Sequence, residues 1–276
     1  CWRMDLLRAA ILGIVQGLAE FLPISSSGHL ILVPALFKWP DQGLSFDVGL
    51  PLGTLLALLI YFWRDGWRRA RAGIPDFARH QFRFGRHSED SQFLWLIALG
   101  SIPAAVTGLL FSDWIEENLR QPWLVALALA AFSVVMLVAD RRSGLVRSVE
   151  SIGARDAVLI GLAQACALFP GVSRSGATLS MGMFRDLTRD SAGRFAFLLG
   201  TPAFVGAALL KAGDLSGLSG REFLELGIGF GCSFAVGMAV IHYLLRFLRT
   251  RTLMPFIWYR VGAAAMTLLI GALRVS

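Results

Sequence analysis

The sequence predicts an all-α integral membrane protein, built as an inverted-topology repeat in which each unit is a re-entrant helix pair plus three transmembrane helices. Three observations favour this class. Of 276 residues, 55% are hydrophobic and only 16% are charged, whereas soluble domains carry about 25% charged residues. A polar segment near the start of the chain recurs in its second half, each time inside very hydrophobic sequence. The arginines are concentrated in short segments between apolar stretches.

The two related segments head the two halves of the chain. Residues 16–29 are QGLAEFLPISSSGH and residues 164–177 are QACALFPGVSRSGA, so that Gln, Phe, two Ser and Gly align without a gap. Each copy predicts a short apolar helix, a break that contains Pro, a Ser-rich turn and a second apolar helix. Because each half is too short to span a bilayer, regions 5–37 and 157–184 are predicted to enter and leave the membrane on one side.

Apolar runs long enough to cross a bilayer follow each of these re-entrant pairs. They lie at 46–63, 91–112, 122–139, 194–212, 222–245 and 255–273. Three spans separate the pairs, so the second unit starts on the opposite side from the first, which defines an inverted repeat. We therefore expect a single membrane domain, 1–276, made of two repeats of about 1–150 and 151–276.

The charges of the connecting segments assign the two sides. In this scheme the Arg-rich segments 64–90, 140–156 and 246–252 share one side, and segments 113–121 and 213–221, with one arginine each, share the other. The positive-inside rule places the Arg-rich side in the cytoplasm. Both termini and the mouth of the first re-entrant pair are then extracytoplasmic. Topology also accounts for the net charge of +7, and we expect no nucleic-acid partner.

The first copy carries the groups typical of proton transfer and metal binding. Gln16 and Glu20 share one helix face, and their oxygens suit a hard cation such as Mg²⁺ or Ca²⁺. Glu20 is alternatively a general base, or a structural partner of an arginine. Ser26, with Ser25 and Ser27 on either side, lies at the start of a helix, where one hydroxyl can cap and another can react. Ser25 and Ser27 are predicted to bind the substrate, because a helix start with free amides is also an anion site. His29 follows one turn later and could assist proton transfer or attack phosphorus itself.

The second copy predicts anion binding. Arg174 lies in apolar sequence, and its planar guanidinium suits phosphate oxygens. Hydroxyls and helix N-terminal amides would complete the site, supplied by Ser173, Ser175 and Thr178. The alternative is an ion pair between Arg174 and Glu20 that serves assembly only. A carboxylate, a hydroxyl, a histidine and an arginine together favour phosphoryl transfer, because the chain lacks a GxSxG motif and a catalytic Asp for the His.

On these motifs the chain resembles the undecaprenyl-diphosphate phosphatases, also called bacitracin-resistance proteins. Gln16 and Glu20 with 21–29 match the family's first motif, (E/Q)xxxE followed by FLPxSSxGH, and 170–178 match PGxSRSxxT in full. The resemblance covers essentially the whole chain. One departure is Pro51, where a polar residue, often His, is expected before Leu-Gly-Thr.

The resemblance implies removal of one phosphate from a polyprenyl diphosphate lipid in the bacterial inner membrane, which recycles the carrier lipid for cell-wall synthesis. It also implies divalent-metal dependence, a site open to the extracytoplasmic side and a homodimer. Residue by residue, it makes Gln16 and Glu20 metal ligands or bases and Ser26 or His29 the nucleophile. The diphosphate ligands would be Ser173, Arg174 and Thr178.

Two other functional classes share features with this sequence. Inverted repeats with broken helices are transporter architecture, so a polyprenyl-phosphate flippase is the alternative function. A flippase needs charge neutralisation but no nucleophile, and the density of hydroxyls favours the enzyme. A type-2 phosphatidic acid phosphatase requires His five residues beyond the Ser-Arg pair, where this chain has Ser180, and is rejected.

Overall fold

The computed structural model describes residues 5–39, 44–81, 83–142, 144–210 and 218–275, and in these ranges the chain is helical. Much of the predicted segment 213–221 lies outside them. The described α-helices, in chain order, are α1 Leu6–Phe21, α2 Ser26–Phe37, α3 Leu44–Tyr61, α4 Trp63–His80, α5 Glu89–Asn118, α6 Pro122–Asp140, α7 Ala154–Cys166, α8 Arg174–Phe184, α9 Arg189–Leu210, α10 Gly220–Leu248 and α11 Met254–Val275.

Five of the six predicted spans are confirmed as helices long and apolar enough to cross a membrane, namely α5, α6, α9, α10 and α11. The sixth prediction, 46–63, corresponds to α3. This helix is 18 residues long, and its part Gly49–Tyr61 qualifies only as a shorter apolar helix. Both predicted re-entrant regions contain two short helices separated by a break, α1 with α2 and α7 with α8.

Helix α4 lies in the Arg-rich segment 64–90, which the sequence predicts only as a charged connection. None of its residues is buried. Trp63 and Trp67 stack with ring centroids 5.6 Å apart and are more than half exposed. A helix with Trp and Arg on its surface and no buried side chain is typical of the membrane interface. Its mean hydropathy is low, and a search for apolar runs therefore does not detect this helix.

Two close helix crossings recur in the two halves. α1 packs against α10, and α7 packs against α5. A Cβ atom on Gly13 would overlap the carbonyl of Gly229, and one on Gly161 would overlap the carbonyl of Gly100. Gly13 and Gly161 occupy the same position of the repeated sequence. Glycine is required at both positions because the backbones approach so closely.

Two buried aspartates hold helix ends together on the Arg-rich side. Asp140, at the end of α6, accepts hydrogen bonds from Arg189 Nε at 2.7 Å and from the Leu253 amide at 2.9 Å. Asp156, at the start of α7, accepts from Arg147 at 2.7 Å and from Arg185 at 2.6 Å. Asp140 thereby fixes the end of α6 to the starts of α9 and α11, and Asp156 fixes the start of α7 to the end of α8.

Candidate active site

The second helix of each broken pair starts in the same way. Ser25 precedes α2 with φ 76° and Ser173 precedes α8 with φ 77°. Ser25 Oγ accepts from the Gly28 amide at 3.3 Å, and Ser173 Oγ accepts from the Gly176 amide at 3.2 Å. A positive φ at a non-glycine residue is strained and recurs at functional sites. The remaining amides at such helix starts favour an anion.

Arg260 of α11 joins the two breaks. Its side chain is fully buried and donates to the carbonyl of Pro23 at 3.3 Å and to that of Gly171 at 2.9 Å. It also donates to Ser133 Oγ at 3.1 Å and to the Leu129 carbonyl at 3.2 Å, both on α6. The sequence prediction of a plain span at 255–273 missed this residue. Its signal was available, since an arginine within an apolar span is rare.

Glu20 and Arg174 are brought together, as the assembly alternative expects. Arg174 NH2 donates to Glu20 Oε1 at 2.8 Å, and Gln16 Nε2 donates to Glu20 Oε2 at 2.7 Å. The guanidinium lies over Phe204, with Cζ 3.6 Å from the ring centroid. Its NH1 packs against Gly200, where a Cβ atom would overlap it. Its NH1 is buried without a partner among the described residues. Arg174 therefore keeps hydrogen-bonding capacity beyond the ion pair, because a guanidinium carries five N–H groups.

Most motif hydroxyls take part in the local structure. Ser175 Oγ donates to the carbonyl of Leu22, across to the first break, at 3.0 Å. Thr178 Oγ1 donates back to the Arg174 carbonyl at 2.8 Å, and Ser27 Oγ lies 3.4 Å from Ser25 Oγ. Within the described part of the chain these hydroxyls each have a partner. As it stands, Thr178 therefore offers no free hydroxyl donor to a ligand.

Ser26 differs from the other motif hydroxyls. It is the first residue of α2 and is half-buried. In the described ranges its hydroxyl makes no hydrogen bond with another residue. A free hydroxyl at a helix start, beside the engaged Ser25, is the arrangement that a nucleophile requires, provided that a base is supplied.

His29 is positioned by two groups, and neither is Ser26. Its Nδ1 lies 2.7 Å from the Ser25 carbonyl oxygen, and its Nε2 lies 2.7 Å from the Tyr259 hydroxyl. The two rings stack with centroids 5.5 Å apart and an interplanar angle of 14°. His29 and Ser26 thus lie at neighbouring positions on α2, as predicted, but they do not form a hydrogen bond with each other. The sequence did not point to Tyr259, which lies 230 residues away in a span where Tyr is ordinary.

The predicted metal ligands provide a partial oxygen site. Gln16 Oε1 is buried and has no partner among the described residues. Glu20 contributes the carboxylate. No group of three or more His, Cys, Asp or Glu lies together in the described ranges. Mg²⁺ commonly binds through one or two carboxylates plus waters and substrate phosphates, so Gln16 and Glu20 fit a cation that shares its ligands with a phosphate.

The fold and site define a multi-pass membrane protein with a buried polar site between two broken helix pairs. The chain belongs to the family described as Bacitracin resistance protein BacA, whose family model matches residues 9–266.

Two relatives show how far the likeness extends. The undecaprenyl-diphosphatase of Nocardioides sp. is 42% identical, over 99% of this chain and 98% of the relative. The undecaprenyl-diphosphatase of Geobacter sulfurreducens is 44% identical, over 96% of this chain and 98% of the relative.

Proposed function

We propose that this protein is a membrane phosphatase that hydrolyses undecaprenyl diphosphate, or a closely related polyprenyl diphosphate, to the monophosphate and phosphate. The observation that carries the proposal is full-length similarity to relatives named undecaprenyl-diphosphatase. The geometry supports it, because both motifs contribute to one buried site. The reaction would recycle the carrier lipid for cell-wall synthesis, and hydrolysis of the diphosphate is the step associated with bacitracin resistance.

Within the site we assign roles to the predicted residues. Ser26 Oγ attacks the terminal phosphorus while His29 assists removal of its proton, the phosphoanhydride bond breaks, and the lipid monophosphate leaves. Water then hydrolyses the phosphoserine and releases phosphate. Arg174 binds the phosphate oxygens through its free NH1, and the amides at the starts of α2 and α8 add to this binding. The other predicted substrate-binding residues, Ser25, Ser27, Ser173, Ser175 and Thr178, belong to these two helix starts and would contact the bound diphosphate there.

His29 is the competing nucleophile. Ser26 is favoured because its hydroxyl has no hydrogen-bond partner in the described part of the chain, whereas both ring nitrogens of His29 are engaged. Acid-quenched turnover should therefore leave phosphate on serine. A phosphohistidine trapped in a parallel alkaline quench, in which the P–N bond survives, or substantial turnover by Ser26→Ala, would reverse the assignment.

A divalent cation, Mg²⁺ or Ca²⁺, is proposed as cofactor, with Gln16 Oε1 and Glu20 as its protein ligands. When bound, such an ion neutralises negative charge on phosphate oxygens. Two protein ligands are few, so we expect tight binding only when the substrate's phosphates are present. Glu20 would then exchange part of its pairing with Arg174 and Gln16 for the ion.

We further propose the inverted repeat, with halves of about 1–150 and 151–276 in one domain. The equivalent pairings of α1 with α10 and of α7 with α5 support it, as do the matching Ser25 and Ser173 caps. The proposed sidedness leaves both termini and the site's opening extracytoplasmic in the bacterial inner membrane. The homodimer implied by the family resemblance stays a prediction, which cross-linking in membranes can test.

The decisive experiment is phosphate release from undecaprenyl diphosphate by the purified protein in detergent. Detergent removes the two leaflets, so flipping cannot substitute for hydrolysis. We expect metal-dependent formation of the monophosphate. A protein that releases no phosphate in detergent, yet moves polyprenyl phosphate between leaflets of vesicles, would instead be the flippase.

A further inference from the structure

We propose that Tyr259 is a positioning residue for His29, holding its ring in one tautomer and engaging its basic nitrogen. This inference rests on the proposed phosphatase function. Tyr259 belongs to α11, far in sequence from both motifs, and its hydroxyl is the group that contacts Nε2 of His29.

The tautomer follows from the partners. A backbone carbonyl can only accept hydrogen bonds, so the Nδ1 that lies 2.7 Å from the Ser25 carbonyl oxygen carries a proton. In neutral His29 the lone pair is then on Nε2, and the Tyr259 hydroxyl donates to it. Any proton that His29 takes up during the reaction must arrive at Nε2, where Tyr259 lies.

The orientation of the ring is fixed as well. Stacking of the two rings and hydrogen bonds at both nitrogens leave the imidazole no alternative rotamer that keeps its partners. Tyr259 is itself held, because the next residue, Arg260, is anchored to the carbonyls of both breaks.

The test is Tyr259→Phe, which keeps the ring and removes the hydroxyl. Loss of one hydrogen bond should lower kcat roughly three- to tenfold with KM unchanged. Tyr61→Phe is the matched control. The Tyr61 hydroxyl also lies near a histidine nitrogen, His242 Nδ1 at 3.4 Å, but at an exposed position outside the site, and we expect wild-type kinetics.

The second arm introduces Tyr259→Phe into His29→Gln, assayed at equal folded protein. A residue that acts through His29 should have less than about a twofold effect once His29 is gone. If His29→Gln does not fold, His29→Asn takes its place. Wild-type kcat for Tyr259→Phe, a loss expressed in KM alone, or an equal loss in both backgrounds would overturn the inference. An inactive wild-type protein would overturn the proposed function and this inference with it.

Discussion

Arg174 combines a structural contact with unused binding capacity. Its ion pair with Glu20 is the contact that the assembly alternative expects, but its buried NH1, which has no partner in the described ranges, is not explained by assembly. A buried unsatisfied donor costs about 1–3 kcal/mol. A bound anion at NH1 would remove this cost, so a substrate phosphate is the natural partner.

Arg174→Lys tests that role. Lysine keeps the charge but loses the planar fork and the stacking on Phe204, so we expect roughly a hundredfold loss in kcat/KM for phosphate release. The control is Arg194→Lys, which affects a partly exposed pair with Asp190 on α9 and should change little. Near-normal turnover of Arg174→Lys would mean that a point charge suffices.

Glu20→Gln distinguishes a metal ligand from a general base. An amide is a weaker oxygen ligand, so activity should fall and partly recover in excess Mg²⁺ or Ca²⁺. The measurement is the metal dependence of phosphate release by the variant and the wild type. Glu225→Gln, at a buried glutamate paired with Arg221 on α10, is the control. A loss that no metal concentration reverses would favour the base.

Sequence could predict Glu20, Ser26, His29 and Arg174 because polar groups in apolar segments are rare and the two copies align. It could not predict Tyr259, Phe204 or Gly200. These residues reach the site through tertiary packing of α9 and α11, and their types are common in membrane spans. The hydrogen-bond partners of the motif hydroxyls could not be predicted either, because the motif does not indicate which serine caps the helix and which keeps a free hydroxyl.

At the scale of elements, hydropathy predicts the long spans because burial in lipid demands continuous apolar runs. α4 does not meet the same criterion, because its arginines offset the hydropathy of its tryptophans. The Gly161–Gly100 crossing likewise depends on which helices are neighbours. Whether a glycine in an apolar span permits a close helix crossing cannot be predicted until the neighbouring helix is known.

The contacts of Asp156 make the start of α7 sensitive to acid. Burial raises the pKa of Asp156, but hydrogen bonds from Arg147, Arg185 and the Gly153 amide outweigh burial and lower the pKa to about 2. A lowered folded-state pKa adds stability that is present above the unfolded pKa of about 3.9. That stability is lost as pH falls through the folded value.

Asp156→Asn should therefore lower the free energy of unfolding by about 2 kcal/mol. The difference from wild type should be constant between about pH 8 and 5 and shrink only toward pH 2, as followed by denaturant unfolding in detergent. Asp186→Asn is the control, since its pair with Arg142 is half exposed and contributes little. Equal stability of Asp156→Asn and wild type at pH 7 would refute the role of this cluster.

For the whole molecule, the register of the two copies predicted two related halves, which stay a prediction that the pairings of α1 with α10 and of α7 with α5 support. Sidedness is a separate matter. It depends on arginine counts in 64–90, 140–156 and 246–252, and helix packing is the same whichever side faces the cytoplasm.

Thiol labelling tests sidedness. Cysteines are introduced at Asn118 and Ser148, both exposed, in a background without Cys1, Cys166 and Cys232. An impermeant reagent on intact cells should label position 118 and leave position 148 unlabelled, because the arginines hold 148 inside. Permeabilised cells, where both should react, provide the control. Equal labelling of intact cells would contradict the inverted repeat.

Arg260 has a mechanical consequence. One guanidinium donates to a carbonyl from each break and to two acceptors on α6, so moving one broken pair away from the other would cost this buried cation at least one of its four acceptors. Losing a hydrogen bond from a charged group costs about 1.5–3 kcal/mol. Alternating access would demand that separation in every cycle. Two breaks held in a fixed relative position suit bond cleavage better. The lipid substrate then moves to the site and its product moves away, while the two helix pairs stay together.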